Sequence, residues 1–175
     1  MKKLLAVFAL ILGFTSAAQA RVLVEPYLGY EMGTTKNPDG KFDGSQLGLR
    51  LAYSSPIFFW AGLDYTMGVS GTFKPDTGSN DDGKRSTLYG VVGVDFPILL
   101  RAWAGYGFMN EIKTDNGGKF KGKATKVGVG FTGLPFVSLN LEYITEKFDE
   151  NDTFPITNDL ENSTYVLSVS LPFEF

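Results

Sequence analysis

From Arg21 to Phe175 apolar and polar side chains alternate one by one through segments of about ten residues, and no long stretch keeps a 3.6-residue period. Eight such segments, at about 22–32, 45–54, 57–69, 86–96, 98–110, 122–132, 136–147 and 163–175, are read as β-strands. Three connections are tight and hold a proline: Ser54-Ser55-Pro56, Phe96-Pro97-Ile98 and Gly133-Leu134-Pro135. The other four, at about 33–44, 70–85, 111–121 and 148–162, are long and rich in Gly, Asp, Asn, Lys and Thr. Short and long alternate, which predicts an up-and-down meander with every tight turn at one end.

Sorting each strand by parity separates two faces. One includes Val22, Val24, Leu28 and Tyr30 on the first strand, Leu139, Leu141 and Tyr143 on the seventh, and Tyr165, Leu167 and Val169 on the last. Over all eight strands it takes up 38 positions and holds no charge, where the chain's 20% charged content would place about eight. The opposite parity carries Glu25, Glu31, Arg50, Asp64, Asp95, Arg101, Lys126, Glu142 and Glu174, together with nine glycines.

Two eight-stranded barrels could give this alternation, a soluble one with the apolar face inward and a membrane one with it outward. Thirty-eight mostly bulky side chains do not fit inside so small a barrel, whereas glycines beside Trp60, Trp103 and Tyr89 suit a crowded interior. Aromatics on the apolar face also form two belts. Tyr53, Phe59, Phe96, Phe131, Phe173 and Phe175 lie toward the tight turns, and Tyr30, Tyr65, Tyr106, Tyr143 and Tyr165 toward the long loops. The predicted fold is all-β, an eight-stranded antiparallel up-and-down transmembrane β-barrel.

The N-terminus changes what the mature chain is. Met1-Lys2-Lys3, an apolar run from Leu4 to Phe14 and Ala18-Gln19-Ala20 match the three regions of a cleaved secretory signal, so residues 1–20 are read as a signal peptide and 21–175 as the barrel. Removing Lys2 and Lys3 leaves 14 basic against 19 acidic residues, a net charge of −5, which argues against a nucleic-acid partner. A mean hydropathy close to zero averages two unlike faces.

With no histidine and no cysteine, the chain lacks Ser-His-Asp and Cys-His machinery and the usual zinc ligands. A carboxylate pair could still do acid–base work, with Asp64 or Glu142 the candidates by position. The weightier reading is a lumen network of Glu25, Arg50, Asp64, Asp95, Arg101, Lys126 and Glu142 that neutralises itself. Asp95 and Arg101 flank one turn, and Arg50 and Lys126 are available to Asp64, Glu142 and Glu25. Trp60, Trp103, Tyr27 and Tyr89 would help fill the lumen, the alternative being a narrow or gated pore for ions or small molecules.

The third loop is basic (Lys113, Lys119, Lys121, Lys123) and carries the hairpin signal Asn116-Gly117, whereas the fourth is acidic (Asp149-Glu150-Asn151-Asp152). Asp149, Asn151 and Thr153 look like the start of a calcium loop. Phe154 and Leu160 stand where its glycine and closing glutamate are needed, so no metal or cofactor is expected.

The chain resembles the small eight-stranded outer-membrane barrels of Gram-negative bacteria, of the OmpX, OmpA-transmembrane and opacity-protein kind. The resemblance rests on the leader, the eight amphipathic strands, the alternating connections and the final Tyr165-Val166-Leu167-Ser168-Val169-Ser170-Leu171-Pro172-Phe173-Glu174-Phe175. It implies an outer-membrane location, periplasmic tight turns and extracellular long loops. It also implies that Tyr165, Leu171, Phe173 and Phe175 form an assembly signal for the barrel-insertion machinery. Pro172 departs from that pattern. The partners it implies are outer-membrane lipid, lipopolysaccharide and a possible surface ligand of the loops, with the barrel a monomer. Enzymes of this class, acting on acyl chains or peptides, use a histidine, so the resemblance implies a non-enzymatic member with a structural and surface-interaction role.

Overall fold

The computed structural model describes residues 21–36, 39–55, 58–75, 81–114, 118–151 and 160–175. The leader 1–20, Pro56, the Asn116-Gly117 signal and the acidic stretch 152–159 lie outside the described residues. β1 (Arg21–Lys36), β2 (Gly40–Ser54), β3 (Phe59–Pro75), β4 (Asp81–Phe96), β5 (Leu100–Thr114), β6 (Lys119–Phe131), β7 (Ser138–Asn151) and β8 (Leu160–Ser170) pair antiparallel in sequence order. Pairing of β1 with both β2 and β8 closes them into an eight-stranded barrel, with no open edge at which backbone groups would meet lipid unpaired.

The alternation settles which way each strand faces. Leu28, Leu49, Leu63, Val92, Val127, Leu141 and Leu167 point out and are exposed, whereas Glu25, Arg50, Asp64, Arg101, Lys126 and Glu142 point in and are buried. Apolar residues share the interior: Leu23, Ala52, Trp60, Tyr89, Val91, Trp103 and Ala124 form one buried cluster. Large rings are seated over cross-strand glycines. Tyr27 faces Gly48, Trp60 faces Gly93 and Trp103 faces Gly128. A Cβ on those glycines would lie 2.0 Å, 2.3 Å and 2.3 Å from the respective ring.

The strands differ from the sequence reading at both ends. They run well into the stretches expected as loops; β3 alone has 17 residues, where about 9–11 span a bilayer. Beyond the membrane a ribbon needs only its ladder of backbone hydrogen bonds, so pairing continues after the apolar pattern stops. At the tight end, strands begin at Phe59, Leu100 and Ser138, later than the alternation suggests, because Phe58, Leu99 and Phe136 adopt φ of 65°, 61° and 66° and leave the strand conformation. The last strand is also interrupted. β8 stops at Ser170, Leu171-Pro172 intervenes, and β9 (Phe173–Glu174) resumes the pairing with β1. Proline has no N–H for the ladder, while Leu171 N donates to Pro26 O at 3.0 Å and Phe175 N to Val22 O at 3.1 Å on either side of it.

Candidate functional site

The inward charges gather in two tiers. The tier nearer the tight turns is centred on Arg50, whose register neighbours are Glu25 on β1 and Asp64 on β3. Its guanidinium donates to Glu25 Oε2 at 3.0 Å, to Asp64 Oδ2 at 3.0 and 3.1 Å, and across the lumen to Glu142 Oε1 at 3.2 Å. Lys126 Nζ lies 2.6 Å from Asp64 Oδ2 and 3.1 Å from Glu142 Oε1. Neutral donors complete the shell: Tyr27 OH to Asp64 at 2.7 Å, Trp103 Nε1 to Glu142 at 2.7 Å and Ser170 Oγ to Glu25 at 2.6 Å. Arg101 reaches Glu25 at 3.3 Å and Asp95 at 2.5 Å, linking the tier to the turn below.

Three buried carboxylates (Glu25, Asp64, Glu142) thus face three buried cations (Arg50, Arg101, Lys126), and their sum is zero. That balance matters because a buried carboxylate left without a cation or donors is strongly destabilising. Aromatic faces add to it. Arg50 lies 4.4 Å from the Trp103 ring centroid and 5.4 Å from that of Trp60, and Lys126 lies 4.4 Å from that of Tyr89. Six of the seven predicted lumen residues form this buried set, and the partly exposed Asp95 joins it through Arg101.

The second tier lies toward the long connections, and sequence reasoning missed most of it. Arg85 on β4 donates to Glu31 on β1, to Gln46 on β2 at 3.1 Å and to Glu146 on β7 at 2.9 Å. Asn162 donates to Glu146 at 3.4 Å. Arg85 falls in a polar stretch read as loop. Glu146 continues the inward row Glu142-Ile144-Glu146 and could have been found by extending the parity of β7. Tyr89, Ile144 and Val166 are buried with 0% exposure, so apolar and aromatic side chains help fill the lumen as well.

On the outside, lysines face one another across neighbouring strands. Lys41 is the register partner of Lys74, Lys84 of Lys113 and Lys123 of Lys147, and all six are exposed. Asp43 accepts a hydrogen bond from Lys74 at 2.7 Å and holds that ammonium above its usual pKa. Outward lysines directly opposite each other repel. Three such pairs concentrate positive charge locally on the ribbons although the mature chain is acidic. Tyr165, Leu171, Phe173 and Phe175 also point outward and are exposed. Among the described residues no cluster of carboxylates that could hold a metal ion occurs.

A closed barrel with an apolar exterior and a charged, filled interior defines an integral outer-membrane protein. The chain belongs to the outer membrane protein beta-barrel domain family, whose pattern matches residues 6–173. It is similar in fold to the Neisserial surface protein A, with a TM-score of 0.58 and 16% identity over 87% of this chain and 97% of that one. Ail, the attachment invasion locus protein of Yersinia pestis, in complex with the heparin analogue sucrose octasulfate, matches at 0.54 and 13% over 88% and 99%. The outer membrane enzyme PagL matches at 0.54 and 14% over 84% and 99%. At these identities the likeness is one of fold. No curated protein sequence matches the chain.

Proposed function

We propose that this barrel is a non-enzymatic surface protein whose lumen is closed and whose ribbons present local pairs of lysines to anionic groups outside the cell. The leader 1–20 is removed on export, the tight turns face the periplasm, and the alternating C-terminus from Tyr165 to Phe175 is read during assembly. The observation that carries the reading is the neutral tier around Arg50, which together with Trp60, Trp103 and Tyr89 occupies the lumen and leaves the exterior as the place for recognition. Cross-strand lysines such as Lys84 opposite Lys113 support an anionic ligand, since an anion between two opposed ammonium groups relieves their repulsion. Phosphate groups of lipopolysaccharide and sulfated or phosphorylated glycans share that chemistry.

Refolded protein in a planar bilayer should give no discrete conductance steps, and reproducible single-channel steps would replace this reading with that of a pore. Sucrose octasulfate should bind the folded barrel at low salt, with affinity falling as salt rises. Lys84→Ser and Lys123→Ser should each weaken binding. Absence of binding at low ionic strength would remove the anionic-ligand assignment while leaving the closed lumen standing.

A further inference from the structure

The tight-turn end is unusual chemically. A residue with φ near +60° is ordinarily Gly, Asn or Asp, because a side chain there crowds the following carbonyl. Among the described residues three non-glycine residues take such a φ, and they are Phe58, Leu99 and Phe136, one in each tight turn. All three are exposed, Phe136 to 89%. Their neighbours extend the apolar surface: Phe59, Ile98, Leu100 and Leu134 are exposed as well.

In sequence, residues 55–59, 96–100 and 132–137 contain no charged side chain. The charges that do reach this end are paired with one another, Arg21 with Glu174 at 3.0 Å and Arg101 with Asp95 at 2.5 Å. Turns that end in water gain nothing from a strained phenylalanine, and a contiguous exposed apolar patch marks contact with another phase or partner. The rim runs without a break into the lipid-facing band through Phe96, Phe131, Leu139 and Phe173.

We infer that the tight-turn rim does not project into water but is sunk in the headgroup and upper acyl region of the membrane leaflet on its own side. Phe58, Leu99 and Phe136 are held in a left-handed conformation so that their side chains splay into lipid. The barrel is then asymmetric along its axis, flush or submerged at the tight-turn end and projecting as ribbons at the other. The occupant of the apolar rim is phospholipid, in continuity with the band that lipid already covers.

The chain has no cysteine, so single labels can be placed without background. Ile98→Cys and Phe136→Cys, labelled with the fluorophore NBD, would be reconstituted in phosphatidylethanolamine–phosphatidylglycerol vesicles. Leu141→Cys serves as the reference in the lipid-facing band and Lys113→Cys as the reference on a ribbon, with retained heat-modifiable migration on gels as the folding control. Rim labels should show blue-shifted emission, quenching by doxyl-labelled lipid and resistance to iodide, as the Leu141 position does. Red-shifted emission with iodide quenching, as at Lys113, would overturn the inference. Protection from both quenchers would also overturn it, in favour of a second copy or a bound protein.

A second measurement does not depend on labels. Phe136→Asn relieves the backbone strain, so in a turn surrounded by water it raises the urea midpoint of the vesicle-inserted barrel. In a submerged rim it lowers that midpoint, which is the expected result.

Discussion

Replacing Arg50 by Met tests the central claim about the lumen. The guanidinium contacts Glu25, Asp64 and Glu142 within 3.2 Å, at an exposure of 2%. Its removal changes the tier from neutral to a net charge of −1 and leaves cavity walls that water reaches poorly. At an effective dielectric of about 20, one charge pair at about 4 Å is worth about 4 kcal/mol, and stranding a buried charge costs about 3–5 kcal/mol in practice. Every carboxylate keeps a second partner: Asp64 and Glu142 retain Lys126, and Glu25 retains Arg101 and Ser170. The loss should therefore fall at the low end, about 3 kcal/mol, or roughly a hundredfold in the folding equilibrium.

The assay is urea unfolding of the vesicle-inserted protein, followed by tryptophan emission. Trp60 and Trp103 both lie against Arg50 and report the change directly. Pairing Arg50→Met with Glu25→Gln restores neutrality, so the double variant should recover about half of the loss. A single variant that costs less than about 1 kcal/mol, or a double variant that costs the full sum of the two singles, would refute charge balance as the organising feature.

Three further outcomes follow from the same geometry. Gly128→Val should cost about 2–4 kcal/mol in the same urea assay, because its Cβ would lie 2.3 Å from the Trp103 ring and displace the indole from Glu142; Gly90→Ala, with no atom within 4 Å, should be close to neutral. Leu141→Arg should lower stability by about 2–4 kcal/mol if it lies near the bilayer midplane, and the harmlessness of a ribbon substitution there would contradict the face assignment. Conductance should stay absent in Arg85→Met alone, since the Arg50 tier still closes the lumen, and should appear in bilayer recordings when Arg50 is replaced as well.

What could be read in the chain was decided by the period. Alternation over Leu47-Gly48-Leu49-Arg50-Leu51 assigns every side chain to a face, so strand number, order and the inward charges were accessible from sequence. The pairs within adjacent strands, such as Arg50 with Asp64, needed only register. Glu142 meets Arg50 across the lumen, a contact created by closure and invisible along the chain. Arg85 escaped notice because its surroundings, Asp81 to Ser86, are polar on both parities once the strand has left the lipid, and hydropathy no longer distinguishes strand from loop there. The strained turn residues were equally hidden, since Phe58, Leu99 and Phe136 look like ordinary apolar strand positions until their φ is known.

The seating of rings over glycines has a bearing on how the molecule comes together. Tyr27 and Gly48 belong to β1 and β2, Trp60 and Gly93 to β3 and β4, Trp103 and Gly128 to β5 and β6. Each ring and its slot therefore sit in one hairpin, built from contacts short in sequence that can form before the rest of the wall is present. The fourth hairpin, β7 and β8, has no such ring of its own; it brings Glu142, which has its partners on β2, β5 and β6. Three hairpins that each carry both ring and slot, and a fourth that lends Glu142 to the others, divide the wall into units fitted by shape within and joined by charge between.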